Sequence, residues 1–212
     1  MSRGILITLE GPDGSGKSTQ IANIKKYFLR RGKTVVVSRE PGGTNIGEKL
    51  REIVLDKDNG EMDEITEMMI YAAARAQHVA EKIRPALEKG KVIICDRFTD
   101  SSIAYQGYGR ELGKQVAEVN FRATGGLEPD ITFFMDVDPQ IGRNRIEIGE
   151  RDRLEQEQMD FHYRVYRGYC ALCKANPQRI IRIDATKNVE NVKMEIYHYL
   201  DQLPINGVIR DE

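Results

Sequence analysis

Gly11-Pro12-Asp13-Gly14-Ser15-Gly16-Lys17-Ser18-Thr19 is the stretch that decides how this chain is read. It matches G-x-x-x-x-G-K-[ST] at every fixed position and lies between an apolar strand pattern and a helical one, where such a loop has to lie. Glycines let the backbone curl until successive N–H groups point inward at phosphate oxygens. The helix that follows adds the partial positive charge of its N-terminus. Lys17 would reach the β- and γ-phosphates and the Ser18 hydroxyl would ligate Mg²⁺. The residues Gly11 to Thr19 are therefore expected around a nucleoside triphosphate.

Outward from this loop, short apolar runs alternate with longer helical patterns. Strands are expected at Ile5–Leu9, Thr34–Ser38, Val92–Cys95, Ile131–Val137 and Arg179–Ile183, each nearly unbroken in apolar character and closed by a polar or glycine turn. Strands covered on both faces read this way. Helices are expected at Lys17–Arg30, Ile46–Leu55, Ile65–Glu88, Gln115–Ala123, Gln140–Ile148, Gln156–Ala175 and Val189–Leu203. The alternation implies right-handed βαβ crossovers and an α/β fold of the P-loop kind, a five-stranded parallel sheet flanked by helices on both faces. No repeat or interdomain linker interrupts it, so one domain spanning 1–212 is expected, with a tail from Asn206 that is polar.

The 212 residues are 40% hydrophobic and 31% charged, the balance of an ordinary globular protein. With 32 basic and 33 acidic residues the formal net charge is −1, which gives no support to a nucleic-acid or anionic-membrane partner. Phosphate must be met by locally placed Arg and Lys. The opening apolar run is too short for a signal peptide and is followed by no cleavage site, and nowhere do some 18 apolar residues run together, so a cytoplasmic location is expected. Cys95, Cys170 and Cys173 make no paired framework, and the Cys170–Cys173 spacing has no second pair to complete a zinc site; these read as reduced thiols.

The loop names the donor and leaves the acceptor open. A GTP-dependent switch would offer N-K-x-D and D-x-x-G segments, and neither follows Ser18. A kinase for a small phosphorylated acceptor needs Arg residues for a second anion. Val92-Ile-Ile-Cys-Asp96-Arg97 supplies one: at the carboxyl end of a strand in an open sheet, both polar side chains face the ligand crevice. Asp96 is placed to hold Mg²⁺ through water, and Arg97 to pin an anion beside it.

Taken together, Leu9–Lys17, Arg39-Glu-Pro41-Gly-Gly-Thr44, Tyr71-Ala-Ala-Ala-Arg75-Ala-Gln77, Asp96-Arg97-Phe98, Ala104-Tyr105-Gln106-Gly107 and Asp152-Arg153-Leu154-Glu155 resemble the thymidylate kinase family, in its order and over nearly the whole chain. The resemblance implies phosphoryl transfer from ATP, with Mg²⁺, onto dTMP, in a homodimer. It implies that Tyr71 stacks on thymine and that Arg75, four residues on and so on the same helix face, bonds O4. By the same resemblance Ser102 reads N3, Gln106 lies a turn further on, Tyr105 lies against the sugar 2′ carbon, and Asp13 meets the 3′-hydroxyl. Arg39 and Pro41, the latter after a peptide often cis in the family, would help hold the acceptor phosphate.

The segment 143–155 is basic and broken by Gly149, and in nucleotide kinases this position is the lid that closes over the transferring group. Arg151 and Arg153 are the candidates to neutralise transition-state charge, alongside Lys17 and Arg97; Asp13 joins the catalytic set by positioning the acceptor through its 3′-hydroxyl. Arg143 is expected to stack on adenine, with Ala185 on the other side of the ring. Gly14 replaces the loop Arg of eukaryotic-type members, which shifts charge work to a bacterial-type lid, although Ile148 stands where some bacterial relatives have Arg. The other readings are a kinase for another nucleoside monophosphate and a nucleotide-dependent switch.

Overall fold

The loop hangs from the middle strand of the sheet. In the computed structural model, which describes residues 3–145 and 152–203, five parallel strands lie in the order β2-β3-β1-β4-β5. They are β1 (Ile5–Glu10), β2 (Val35–Arg39), β3 (Val92–Asp96), β4 (Ile131–Asp136) and β5 (Ile180–Asp184). Leu9 is level with Asp96 on one side and Phe133 on the other, and Asp136 is level with Asp184. The strands therefore finish along one edge. The strand order reverses at β1, and the crevice opens there.

β1 alternates between two environments. Ile7 and Leu9 face the layer of α1 (Lys17–Arg30) and α9 (Val189–Asp201), packing with Ile24, Phe28, Ile94, Phe133, Val192 and Ile196. On the opposite face Leu6 packs with Val79, Ile83, Leu87 and Phe98, whereas Thr8 and Glu10 are fully buried polar groups. The Thr8 hydroxyl bonds that of Thr132 at 2.7 Å, so the polar strip is internally paired.

The helix expected over 65–88 forms as α3 (Glu64–His78), a π-helical segment Val79–Ile83 and α4 (Arg84–Glu88). Pro85 explains the wide turn. Its ring has no N–H and would crowd the carbonyl four residues back. The Arg84 N–H instead reaches the Val79 carbonyl, five residues back, and the chain stays helical through the proline. A helix that the pattern does not announce fills the space after β3: α5 (Thr99–Ser102) runs into a second π-helical segment, Ile103–Gly109. Its register is carried by tertiary packing, with Gly109 against Phe161 and Val165, and Tyr108 against Gly168 of α8 (Met159–Ala175).

The remaining helices are α2 (Asn45–Leu55), α6 (Gln115–Thr124) and α7 (Pro139–Arg145). α8 begins at Met159, three residues later than the expected Gln156, because 153–156 is a turn. Cys170 and Cys173 are free and half-buried on α8, and Cys95 is free and buried. Among the described residues no helix is long and apolar enough to cross a membrane. Arg151, Ile148, Gly149 and the tail from Asn206 lie outside the described residues.

Candidate active site

The phosphate loop is built as its pattern requires. Gly16 sits at φ 88°, in the left-handed region, and α1 starts directly after it with no side-chain cap and no acidic residue in its first turn. Its first N–H groups are thus left for an anion. Gly14, at φ 73°, serves a closer fit: a Cβ there would lie 2.0 Å from the Gly142 carbonyl oxygen of α7. The Lys17 ammonium is buried and donates to the carbonyls of Gly11 (3.2 Å) and Pro12 (3.0 Å). Burial and the neighbouring Arg97 charge bring it down to about 8, against the pull of Asp13, Asp96 and Glu10.

Three clefts adjoin this loop. The first, about 890 Å³, is walled by Asp13, Gly14, Gly16, Lys17, Ser18 and Thr19 together with Arg39, Arg51, Asp96, Arg97 and Arg145. The second runs past Gly14, Ser15, Thr19 and Gln20 to Met135, Ala185, Val189 and Val192, an apolar slot suited to a flat ring. The third, about 650 Å³, holds Pro41, Tyr71, Arg75, Ser102, Tyr105 and Gln106. Asp13, Glu40, Arg51 and Arg97 line both the first and the third. The junction of the two is where charge is concentrated.

Arg97 is held on every side. Its backbone is left-handed, φ 67°, a conformation that a non-glycine residue keeps only where its surroundings impose it. Its N–H donates to the Leu9 carbonyl at 3.0 Å. Nη2 donates to Asp13 Oδ1 at 2.5 Å, and Nη1 to the Ser101 and Tyr169 hydroxyls at 3.3 and 3.1 Å. Burial raises the Asp13 carboxyl, but Arg97 and Lys17 outweigh it and hold the group at about 2, so it stays ionised. The Tyr105 ring lies 5.1 Å below the Arg97 guanidinium.

Arg75 is the most fully bonded side chain of the third cleft, 2% exposed. Nε donates to Glu40 (2.6 Å), Nη1 to Ser102 Oγ (2.8 Å) and to Asn120 Oδ1, and Nη2 to the Phe98 carbonyl (3.0 Å). Among the described residues one Nη2–H has no partner, and an acceptor atom is what it can take. Glu40 is fixed in turn by His78 Nδ1 at 2.8 Å, whose Nε2 meets Ser38 Oγ at 2.7 Å. Glu40, His78 and Cys95 cluster within 4.8 Å of one another, but Glu40 and His78 already hold these partners and form a hydrogen-bond chain. The Glu40–Pro41 peptide is cis.

Four of the expected site residues make contacts other than those their expected roles call for. Arg153 does not face the phosphate loop: it is 8% exposed, donates to Glu67 at 2.6 Å and to the Val54 carbonyl at 3.1 Å, and lines none of the three clefts. A buried carboxylate on α3 claims it. Arg143 contacts Met159 Sδ at 3.2 Å, and Arg145 is the residue at the ring slot, donating to the Ala185 carbonyl at 3.0 Å. Helical spacing explains the exchange, since residues two apart face different ways. Arg39 is half-exposed, pairs with Glu48 at 2.8 Å and lines only the first cleft. Gln106 lines the third cleft, but its amide is taken by Glu67 at 2.8 Å.

Sequence reasoning missed Arg51, Leu55, Asn120 and Arg145. Arg51 donates to the Pro41 carbonyl at 3.0 Å and stands at the junction of the clefts. Its four-residue spacing from Leu55, which shares the third cleft, was the available signal. Asp152, Leu154 and Glu155 also line that cleft.

The family model described as thymidylate kinase matches residues 9–196. The chain is 47% identical to a thymidylate kinase of Exiguobacterium sp. over 97% of its own length and 98% of the relative's. It is 48% identical to one of Lactobacillus helveticus, over 94% and 97%. A solved thymidylate kinase from Ehrlichia chaffeensis superposes with a TM-score of 0.78 at 33% identity, over 93% of this chain and 99% of that one. The match runs through the phosphate loop and the residues of all three clefts, and on it the chain belongs to the thymidylate kinase family.

Proposed function

We propose that the chain, as an enzyme phosphorylating dTMP to dTDP, binds ATP in the first cleft and the ring slot and dTMP in the third cleft. The observation that carries this reading is the shared wall of Asp13, Arg51 and Arg97, which places cationic groups where a donor and an acceptor phosphate would meet. An oxygen of the dTMP phosphate attacks the γ-phosphorus of ATP, the bond to the β,γ-bridging oxygen breaks, and ADP leaves. The nucleophile is already ionised, so positioning and charge neutralisation supply the rate.

Lys17, freed from the Gly11 and Pro12 carbonyls, turns to the β- and γ-phosphates, while Arg97 and Arg51 hold the acceptor phosphate. The remaining Arg75 N–H donates to thymine O4; a cytosine amino group would oppose donor to donor. Tyr71 packs on the base, Ser102 meets N3, Tyr105 borders the sugar and ionised Asp13 accepts from the 3′-hydroxyl. Arg145 and Ala185 border adenine.

Ser18 and Asp96 fit a magnesium ion. Both line the first cleft, offer oxygen, and Asp96 Oδ1 is a buried carboxylate oxygen with no hydrogen-bond partner among the described residues. When bound, the ion would neutralise charge on the β- and γ-oxygens. The domain is read as one unit, 1–212, with the lid at 143–155, in the cytoplasm where ATP is made and spent. The homodimer reading gains support from exposed apolar side chains repeated along α2 and α3: Ile46 and Ile53, and Ile65 and Met69.

Phosphorus NMR of the chain with ATP and dTMP tests the chemistry. The expected products are ADP and dTDP, with formation stopped by a chelator and restored by Mg²⁺. ADP and free phosphate without dTDP would overturn the reading.

A further inference from the structure

Glu10 is the last residue of β1 and directly precedes the phosphate loop, yet it lines none of the three clefts. It is fully buried. Fully buried carboxylates are rare unless paired, and each needs a reason. Its contacts supply one. Oε1 accepts from the Phe98 backbone N–H at 2.7 Å. Oε2 accepts from the Ser101 hydroxyl at 2.5 Å and the Tyr169 hydroxyl at 3.1 Å. Those two hydroxyls lie 2.8 Å apart, and both accept from Arg97 Nη1.

A hydroxyl has one hydrogen and two lone pairs. If the Ser101 and Tyr169 hydrogens point at the carboxylate, their lone pairs are left facing the guanidinium. The Phe98 N–H belongs to the peptide that follows Arg97, the residue in left-handed conformation. One carboxylate therefore grips Arg97 at both ends: at its backbone through Phe98, and at its tip through two oriented hydroxyls.

We infer that Glu10 is a positioning residue for the acceptor site, setting the aim of Arg97 through Ser101 and Tyr169. The inference rests on the acceptor reading of the third cleft. It assigns Glu10 no contact with substrate. A neutral amide in its place keeps the shape but reverses one set of dipoles: the amide nitrogen would donate to a hydroxyl, whose hydrogen then turns toward Arg97. Burial and the nearby Asp100 raise the Glu10 carboxyl to about 7, opposed by Ser101, Arg97 and the Phe98 N–H, so the carboxylate depends on these partners.

Steady-state kinetics of wild type, Glu10→Gln, Tyr169→Phe and the double variant, with ATP and dTMP varied separately, test the inference beside thermal unfolding of each. Dependence of wild-type ADP release on dTMP is the control, and its absence would sink the acceptor reading whatever the variants do. Glu10→Gln is expected to raise the dTMP KM by about ten-fold or more and leave the ATP KM within about two-fold. Tyr169→Phe should raise the dTMP KM by less. Added to Glu10→Gln it should change little further, because both act through one chain of bonds. An unchanged dTMP KM in Glu10→Gln, or ATP and dTMP KM rising together, would overturn the inference. Should Glu10→Gln give no cooperative unfolding transition, Tyr169→Phe and Ser101→Ala decide. A raised dTMP KM in both with steady ATP KM supports it, and any other pattern overturns it.

Discussion

Arg153 separates two kinds of residue that a motif treats alike. The Asp152–Glu155 segment identifies the family, but the arginine in it is spoken for by Glu67, 1% exposed at its side chain and also bound by Arg110 at 3.0 Å. Arg153→Ala should therefore lower stability by about 2–3 kcal/mol, since Glu67 stays buried with one cation fewer, and reduce kcat by less than about ten-fold. Denaturant unfolding alongside turnover checks this. A kcat loss of some thousand-fold at unchanged stability would return Arg153 to the catalytic role its motif suggests. Glu10 makes a second residue-level test, by pH. Its carboxyl rises from 4.5 to about 7 in the fold, with Asp100, Arg97, Lys17, Cys95 and Arg179 in its field. The folded chain thus holds this proton more tightly than the unfolded one. Its contribution to stability is full below pH 4.5 and lost as pH climbs through 7. The stability of wild type relative to Glu10→Gln should fall across that window and level off above it; parallel curves would contradict the assignment.

At the scale of elements, strands were legible to within a residue and the π-helical segments were not. Ile131–Asp136 reads as a covered strand because its run is almost wholly apolar. Thr99–Gly109 falls within none of the expected helices, because its register comes from Gly109 and Tyr108 fitting against α8. The site divides the same way. The roles expected of Arg75 and Tyr71 came from the resemblance, since their four-residue spacing shows only a shared helix face, whereas Asn120 and Glu67 act through partners 45 and 86 residues distant in sequence. The contact of α7 with the phosphate loop is equally tertiary: a Cβ on Gly142 would lie 2.4 Å from the Asp13 carbonyl oxygen. Gly142→Ala should push α7, and Arg145 with it, off the loop and raise the ATP KM by roughly ten-fold, the effect of about 1.4 kcal/mol of overpacking. Gly60, where an added Cβ meets nothing within 4 Å, is the control. Equal KM values for Gly142→Ala and Gly60→Ala would show that the approach does not matter.

For the whole molecule, the sheet sets the distances and the helices set what is offered outward. The α2 and α3 faces carry Ile46 at 52%, Ile53 at 47%, Ile65 at 39% and Met69 at 50% exposure. Sedimentation at micromolar concentration is expected to give about twice the 24.1 kDa of the chain, and Ile53→Lys with Met69→Lys to give the monomer. A monomeric wild type would contradict the dimer. The central proposal is narrower: two clefts meet at Asp13, Arg51 and Arg97, one to take a nucleoside triphosphate and the other a thymine nucleotide, read by the Arg75 N–H that has no partner among the described residues. ADP release measured with dTMP, dUMP, AMP, CMP and GMP as acceptors tests it most directly. dTMP should give a kcat/KM above CMP by at least about a hundred-fold, the discrimination of a buried donor set against a donor, and Arg75→Met should erase most of that margin. Equal rates for dTMP and CMP, or none with dTMP while ATP binds, would contradict the account.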